Sequence, residues 1–285
     1  MSKINTRYSD NGVGITIENF NIKTDLTPAI IVEIQALLNS HRVVVFKNQE
    51  LTNEQLEDFA FRFGAPFTTD SNNQVLGSED RQSSIVVVGN RAPEFEKSYL
   101  GHQEVLPHSD HQWLKCPSAA SMLYAIDVNL SAAHTVWYDM VKAYALLENE
   151  MKVKIENVET LVYNPFHRPF GSVKSKYVDR SIDIPPGNTY PHPLVRTHPL
   201  TSEKILYVNF AYELEFRHMS VAQGTELLEN LYHHCQNIDC RYEHVWENGD
   251  LVFWDNRATL HYRPSFDSST RRVLKRVSIA GEYPF

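Results

Sequence analysis

The chain has 285 residues, a mass of 32.9 kDa and a formal net charge of −8, a length that suits one large domain or two small ones. The acidic balance argues against nucleic acid or an anionic membrane as a partner, and the three cysteines contain no Cys-x-x-Cys pair, which excludes a cysteine-rich zinc site. The sequence has no run of about 18 apolar residues such as a membrane span needs, and it begins without the apolar stretch of a signal peptide, so we expect a cytoplasmic protein.

Helices and short strands are predicted along the whole chain. Helical segments carry apolar residues three and four positions apart, whereas strand segments are short and rich in β-branched and aromatic residues. Thr27 followed by Pro28 is a helix-start signal, and Thr52 with Gln55 has the spacing of a capping box. In chain order the pattern predicts a helix over 27–40, a strand over 42–46, a helix from 52 to a turn at 64, strands over 84–88, 120–124 and 135–137, a helix over 139–149, a strand over 205–208, a helix over 220–234, and strands over 251–254 and 273–279.

The balance of these elements predicts the fold class. Strands outnumber helices, and the helices do not alternate regularly with them. That pattern disfavours a doubly wound parallel sheet or a TIM barrel, and it favours a mainly β (α+β) fold, a sandwich or jelly roll braced by helices. The turn-rich segment 183–193 is interpreted as a long surface loop, with a lid or insertion over a site at least as plausible as a linker.

The strongest chemical signal is a histidine and a carboxylate two residues apart, His108 and Asp110. In an extended segment, positions i and i+2 share a face, so the two side chains point together. Two ligands hold a metal poorly, and a third is expected at His261, which follows a predicted strand and a turn. Two histidines and one carboxylate are typical of non-haem Fe(II) oxygenases, where they leave three adjacent metal positions open. The His-x-Asp pattern also arises by chance, and the same ligands suit a hydrolytic Zn²⁺ site.

Beyond His261, three arginines lie close together near the end of the sequence: Arg271, Arg272 and Arg276. Positions 272, 274 and 276 share one face of a strand. Like charges in an apolar strand are unfavourable unless they meet anions, and arginine suits carboxylate and sulfonate groups. We therefore expect Arg272 and Arg276 to face the cavity that holds the metal, and the alternative is an exposed edge where the arginines pair with acidic residues.

Motifs spread over almost the whole chain carry a family resemblance. In chain order they are Phe61-Arg-Phe-Gly64, His108-Ser-Asp110, Leu194-Val-Arg-Thr-His-Pro199, Leu206-Tyr-Val-Asn209, Trp254-Asp-Asn-Arg257-Ala-Thr-Leu-His261, and Arg271-Arg272 with Arg276. This set resembles the taurine dioxygenase (TauD/TfdA) family of Fe(II)/2-oxoglutarate dioxygenases. The resemblance implies a double-stranded β-helix (jelly roll) with flanking helices, formed by one domain over residues 1–285.

The resemblance also implies roles for particular residues. Fe(II) would be held by His108, Asp110 and His261. The co-substrate 2-oxoglutarate would chelate the iron, and its far carboxylate would meet Arg272 and the hydroxyl group of Thr135. With O₂, oxidative decarboxylation would yield succinate and CO₂ and lead to removal of a hydrogen atom from a substrate C–H bond.

The substrate is expected to be a small anion. Arg276 matches an arginine that binds the acidic group of the substrate in taurine dioxygenase, and Glu104, shortly before His108, is expected to border the same pocket. The Pro-His-Ser-Asp-His pattern is similar to relatives that act on amino-acid-derived isonitriles, which favours an aromatic, amino-acid-derived substrate and either hydroxylation or desaturation. A zinc-type hydrolase and a non-catalytic small-acid binding protein are the alternatives, and the sequence leaves open whether the chain forms a homo-oligomer.

Overall fold

Strands outnumber helices in the structure, as the sequence predicted. The computed structural model describes residues 4–68, 84–90, 99–129, 132, 134–167, 177–185 and 187–285. Within these residues the strands are β1 Asn5–Tyr8, β2 Ile15–Glu18, β3 Val43–Phe46, β4 Ile85–Gly89, β5 Tyr99–Leu100, β6 Val105–His108, β7 Ala120–Val128, β8 Thr135–Asp139, β9 Glu159–Val162, β10 Pro191–Pro193, β11 Val195–Thr197, β12 Lys204–Leu206, β13 Leu214–Phe216, β14 Arg241–His244, β15 Leu251–Asp255, β16 Thr259–Arg263 and β17 Arg272–Ile279.

Helices flank the strands, and three of the four predicted ones are confirmed. In the described residues they are α1 Ile22–Asp25, α2 Pro28–His41, α3 Asn53–Ala60, α4 Met140–Ala145, α5 Asn149–Ile155 and α6 Val221–Asn237. Thr27 caps α2, and Thr52 with Gln55 forms the predicted capping box of α3. The helix predicted over 139–149 is too long, because the chain turns after Ala145 and begins α5 at Asn149. No helix in the described part of the chain is long and apolar enough to cross a bilayer.

Two sheets form the body of the fold. The larger has the order β1-β2-β3-β15-β7-β17-β4-β5 and the smaller the order β14-β8-β16-β6, while β10-β9-β13 and β11-β12 make two small sheets. In the two main sheets, neighbours pair antiparallel except β2 with β3 and β4 with β5. Strands far apart in sequence lie side by side, as β15 does between β3 and β7, so the chain crosses between the sheets repeatedly in the manner of a jelly roll.

The two main sheets pack face to face around an apolar interior. Val43 of β3 belongs to the cluster between them, where Trp254 of β15 meets Trp137 of β8 at 5.8 Å between ring centroids. Phe46 of β3 belongs to a second cluster and packs instead against Phe59 of α3. A strand buried on both faces sends alternate residues to the two sides in this way. The structure is therefore a double-stranded β-helix braced by helices, which confirms the predicted fold.

Candidate active site

Two neighbouring strands bring the three predicted metal ligands together. β6 ends at His108, and His261 lies opposite it on β16 as its direct cross-strand partner. The two imidazole rings are 4.0 Å apart between centroids. Asp110 lies in the turn after β6, where its Oδ1 is 3.7 Å from His108 Nε2 and 3.9 Å from His261 Nε2.

The donor atoms of this cluster fit a single divalent cation. One ligand atom from each residue lies within 4.8 Å of the others. Two atoms that each bind one ion at about 2.1 Å are at most about 4.2 Å apart, a limit that both Asp110–histidine distances meet. His108 Nδ1 donates to the carbonyl of Leu106 at 2.8 Å, which leaves its Nε2 lone pair for a metal. Burial lowers the pKa of His108 and of His261, so both are neutral at pH 7, as ligation requires.

The carboxylate of Asp110 is kept ionised by Arg276. Arg276 Nη1 donates to Oδ1 and to Oδ2 of Asp110, each at 3.1 Å. Burial by itself raises the pKa of Asp110, but the positive charge of Arg276 and the smaller effects of the neighbouring histidines together outweigh burial and hold that pKa below its usual range. Arg276 Nε is buried without a hydrogen-bond partner among the described residues. An unused donor of a cationic group therefore lies beside the predicted metal ligands.

The turn that carries Asp110 is anchored to the turn after β15. Asn256 Oδ1 accepts a hydrogen bond from the backbone N–H of Asp110 at 2.9 Å, and Asn256 Nδ2 donates to the backbone carbonyls of Asp110 and Ser118 at 3.0 and 2.9 Å. Ser109 Oγ donates to the backbone carbonyl of Asn256 at 2.8 Å. These bonds fix the main chain of Asp110 against the segment that leads to His261.

A buried ion pair stabilises the turn after β15. Arg257 donates to Asp255 from Nε and Nη2 at 2.9 and 2.7 Å. His198 Nδ1 accepts from the backbone N–H groups of Leu200 and Thr201, so its Nε2 carries the proton and donates to Asp255 at 2.9 Å. Burial raises the pKa of Asp255, but the charge of Arg257 and the bond from His198 hold it below its usual value.

A cavity lies between the two main sheets beside the predicted metal ligands. It encloses about 400 Å³, measured with its open mouth, and both sheets contribute to its wall: Val88, Val105, His108, Leu123, Thr135, Trp254, His261, Arg263, Arg272 and Arg276. Thr135 Oγ1 accepts from Arg272 Nη2 and from Trp246 Nε1, each at 3.0 Å. Because two donors occupy the oxygen lone pairs, the hydroxyl proton of Thr135 remains to donate to a ligand.

Arg272 is a buried cation in the wall of this cavity. Burial, followed by the positive charge of Arg263, lowers the pKa of Arg272 to about 9. A cation that is desolvated in this way gains most from a bound anion. The pair formed by Arg272 and Thr135 therefore has the charge and the donors to receive a carboxylate.

Glu104 lies apart from the other predicted site residues. Its side chain is exposed, and its Oε1 accepts a hydrogen bond from the Tyr262 hydroxyl at 2.8 Å. It is not among the described residues that line the cavity. Burial, followed by the bond to Glu104, raises the pKa of Tyr262 to about 12. The structure thus gathers the predicted metal, co-substrate and anion-binding residues at one cavity and places Glu104 at the surface.

Sequence reasoning missed three residues that build this site. Asn256 lies inside the Trp-Asp-Asn-Arg motif, but no role was inferred for its amide group. Trp246 precedes β15 and was unremarkable in the sequence. Arg263 follows His261 by two positions on β16, so the alternation of a strand predicts that both face the same side. That signal was present and was not used.

Comparisons with known proteins place the chain in a family. The family model for the taurine catabolism dioxygenase TauD, TfdA family matches residues 5–278. The α-ketoglutarate-dependent 2,4-dichlorophenoxyacetate dioxygenase of Cupriavidus pinatubonensis is 30% identical over 92% of this chain and 92% of its own length. The α-ketoglutarate-dependent sulfate ester dioxygenase of Pseudomonas putida is 26% identical over 95% of this chain and 88% of its own length.

A solved structure shares the fold at a similar level of identity. The crystal structure of a taurine dioxygenase from Burkholderia xenovorans superposes with a TM-score of 0.80 and 26% identity, covering 99% of this chain and 90% of the other. All three of these proteins are named dioxygenases, which favours the oxygenase interpretation over a zinc hydrolase. The chain therefore belongs to the TauD/TfdA family and is an Fe(II)- and 2-oxoglutarate-dependent dioxygenase that uses O₂ and acts on a small molecule.

Proposed function

We propose that His108, Asp110 and His261 hold the Fe(II) of this enzyme and that Arg272 and Thr135 bind the far carboxylate of 2-oxoglutarate. The convergence of one carboxylate oxygen and two imidazole nitrogens supports the metal assignment. The hydrogen bond from Arg272 to Thr135 supports the co-substrate assignment, because it leaves the hydroxyl proton of Thr135 available to donate to a carboxylate. Residues 1–285 would then act as one catalytic domain.

Bound Fe(II), with 2-oxoglutarate and O₂, supplies the oxidising power that removes a hydrogen atom from a substrate C–H bond, with release of succinate and CO₂. The residues of the chain prepare that step. The carbonyl of Leu106 orients the ring of His108, and Asn256 fixes the backbone of Asp110. The low pKa of Asp110 keeps its carboxylate ionised and available as a ligand. Trp246 donates to Thr135 and so directs the remaining hydroxyl proton toward a ligand.

The substrate that we propose is a small aromatic carboxylate, bound through Arg276. The observation that carries this proposal is the position of Arg276, which lines the cavity, contacts Asp110 and keeps a buried Nε without a partner among the described residues. The named substrates of the relatives above, a phenoxyacetate, a sulfate ester and taurine, all carry an anionic group. An amino-acid-derived isonitrile also carries a carboxylate, and hydrogen removal leads either to hydroxylation or to desaturation.

Succinate formation tests this proposal directly. The protein is incubated with Fe(II), ascorbate, O₂ and 2-oxoglutarate, together with aryloxyacetates, aromatic amino-acid-derived isonitriles or sulfate esters, each paired with its neutral amide or ester analogue. We expect substrate-stimulated succinate only with an anion, and a loss of roughly 100-fold in kcat/KM in Arg276→Gln, because a charge-assisted bidentate pair is lost.

A matched variant separates the pocket charge from the net charge of the protein. Arg271 is a neighbouring arginine whose side chain is 46% exposed and paired with Asp127, so Arg271→Gln removes the same charge at the surface and should retain full activity. Equal turnover of an acid and its neutral amide, or unchanged kcat/KM in Arg276→Gln, would remove Arg276 from the substrate site.

A further inference from the structure

The cavity contains a third arginine whose role is still unassigned. Arg272 and Arg276 are accounted for by the co-substrate and the substrate. Arg263 lines the same cavity, two residues after His261 on β16, and is only 5% exposed. A buried guanidinium group costs more free energy in a cavity wall than an apolar side chain of similar size would, so its presence there suggests a ligand-directed function.

The guanidinium group of Arg263 is held in a fixed position. Its Nη1 donates to the carbonyl of Gly101 at 2.7 Å, and its Nη2 donates to the carbonyl of Gln103. Its central carbon lies 5.0 Å from the centre of the Phe266 ring, in a cation–π contact. The side chain therefore connects the end of β16 to the segment before β6. These contacts fix the position of its positive charge in the cavity wall.

The positive charge of Arg263 affects the protonation of Arg272. After burial, that charge is the second cause of the lowered pKa of Arg272. Two positive charges that share a low-dielectric cavity repel each other, and an anion bound near both relieves that repulsion. The far carboxylate of 2-oxoglutarate, once it is on Arg272 and Thr135, is such an anion.

We propose that Arg263 is a specificity-determining residue for the co-substrate: its fixed charge adds to that of Arg272 and makes the cavity select a 2-oxo acid that bears a second carboxylate. The inference rests on the assignment of Arg272 and Thr135 to 2-oxoglutarate made above. It assigns a function to Arg263, which is needed neither for metal binding nor for the binding of the substrate by Arg276.

Anaerobic binding to the cobalt-loaded protein tests this inference. Affinities are measured for 2-oxoglutarate and for 2-oxovalerate, which has the same chain length but lacks the second carboxylate. In Arg263→Gln we expect 2-oxoglutarate affinity to fall about 10-fold, because one charge–charge attraction is lost, while 2-oxovalerate affinity changes less than about twofold. Arg263→Lys keeps the charge and should keep most of the preference for the dicarboxylate.

A purely structural role would weaken both ligands alike, so equal losses in Arg263→Gln would overturn the proposal. The proposal would also be overturned if Arg263→Gln preferred 2-oxoglutarate over 2-oxovalerate as strongly as wild type does. The same holds if Arg263→Lys lost this preference as completely as Arg263→Gln. Arg271→Gln serves as the control for removal of a surface charge. If Arg272→Gln loses the preference for 2-oxoglutarate but Arg263→Gln keeps it, only the inference about Arg263 fails. If Arg272→Gln keeps the preference as well, the assignment of Arg272 and Thr135 to the co-substrate also fails.

Discussion

Asn256 shows how much of the proposed metal site depends on one uncharged side chain. Its amide group accepts from the backbone of Asp110 and donates to the carbonyls of Asp110 and Ser118 and to the hydroxyl of Ser118. All of these groups are buried, so no water replaces a lost partner without rearrangement. The position of the proposed carboxylate ligand, Asp110, is therefore set by a residue that is not itself a candidate ligand.

Replacing this amide group is expected to weaken metal binding without removing a ligand. In Asn256→Ala we expect cobalt affinity to fall by about 10- to 100-fold, as is typical when a partner of a ligand is lost. The free energy of unfolding should fall by about 1–3 kcal/mol, because buried backbone groups lose their partners. Cobalt titration and urea denaturation measure the two effects. Asn53→Ala, at an exposed position, is the matched control, and an unchanged cobalt affinity in Asn256→Ala would show that the turn holds Asp110 without the amide.

At the scale of elements, the sequence predicted what depends on local periodicity. The alternation along β17 correctly placed Arg272 and Arg276 on the cavity side. The cross-strand pairing of His108 with His261 was not predictable in register, because register is set by the packing of strands that are distant in sequence. The position of Glu104 outside the cavity lining of the described residues was not predictable for a related reason: its partner, Tyr262, comes from the far end of the chain.

The contact between β4 and β17 provides a test of how Arg272 is positioned. Gly89 has φ +152°, and a Cβ atom on it would lie 1.8 Å from the carbonyl oxygen of Arg272. In Gly89→Ala, β17 must move at this residue, so we expect weaker binding of 2-oxoglutarate and a loss of about 1–3 kcal/mol in the free energy of unfolding. Anaerobic titration of 2-oxoglutarate and urea denaturation measure both.

The control for this prediction is another glycine with a positive φ. Gly12 has φ +77°, and an added Cβ there meets no described atom within 4 Å. Gly12→Ala should lose about 1–2 kcal/mol from its backbone strain alone and bind 2-oxoglutarate normally. Normal binding in Gly89→Ala as well would mean that β4 does not set the position of Arg272.

Across the whole molecule, the ion pair of Asp255 and Arg257 joins segments from three parts of the chain. His198 donates to Asp255, and Glu282 lies 2.6 Å from Arg196 and 3.9 Å from Arg257. Asp255 has a lowered pKa in the folded state, so it contributes stability above its unfolded pKa, and that contribution is lost as the pH falls.

Removing the cation should reverse this dependence on pH. In Arg257→Leu the guanidinium charge is lost and the bond from His198 is left to oppose burial at Asp255. The pKa of Asp255 should therefore rise, and the poorly compensated charge should cost about 3–5 kcal/mol at neutral pH. Acidification to about pH 5 protonates part of that carboxyl group, and the stability difference from wild type should shrink. Urea denaturation at the two pH values measures this. Arg217→Leu removes an exposed ion pair with Glu159 and should cost at most about 1 kcal/mol at either pH; a difference for Arg257→Leu that is the same at both values would contradict the prediction.

Ligand binding should also stabilise the folded protein, because a bound ligand would contact residues of both main sheets. The proposed metal ligands lie on or beside β6 and β16 of the smaller sheet, whereas Arg272 and Arg276 lie on β17 of the larger one. A ligand that binds only the folded state at 100 times its Kd stabilises that state by about 2.7 kcal/mol, which corresponds to a rise of about 5 °C in Tm for a chain of this size.

Thermal unfolding under anaerobic conditions separates the two ligands. With cobalt alone, wild type should gain about 5 °C, and 2-oxoglutarate should add a further increase only when cobalt is present, because the co-substrate binds partly through the metal. Arg272→Gln should respond to cobalt but show little added response to 2-oxoglutarate, and His261→Ala should respond to neither. His233→Ala, at an exposed position of α6, should behave as wild type. A cobalt response in His261→Ala equal to that of wild type would place the metal elsewhere, since a site that spans β6 and β16 needs a ligand from each strand.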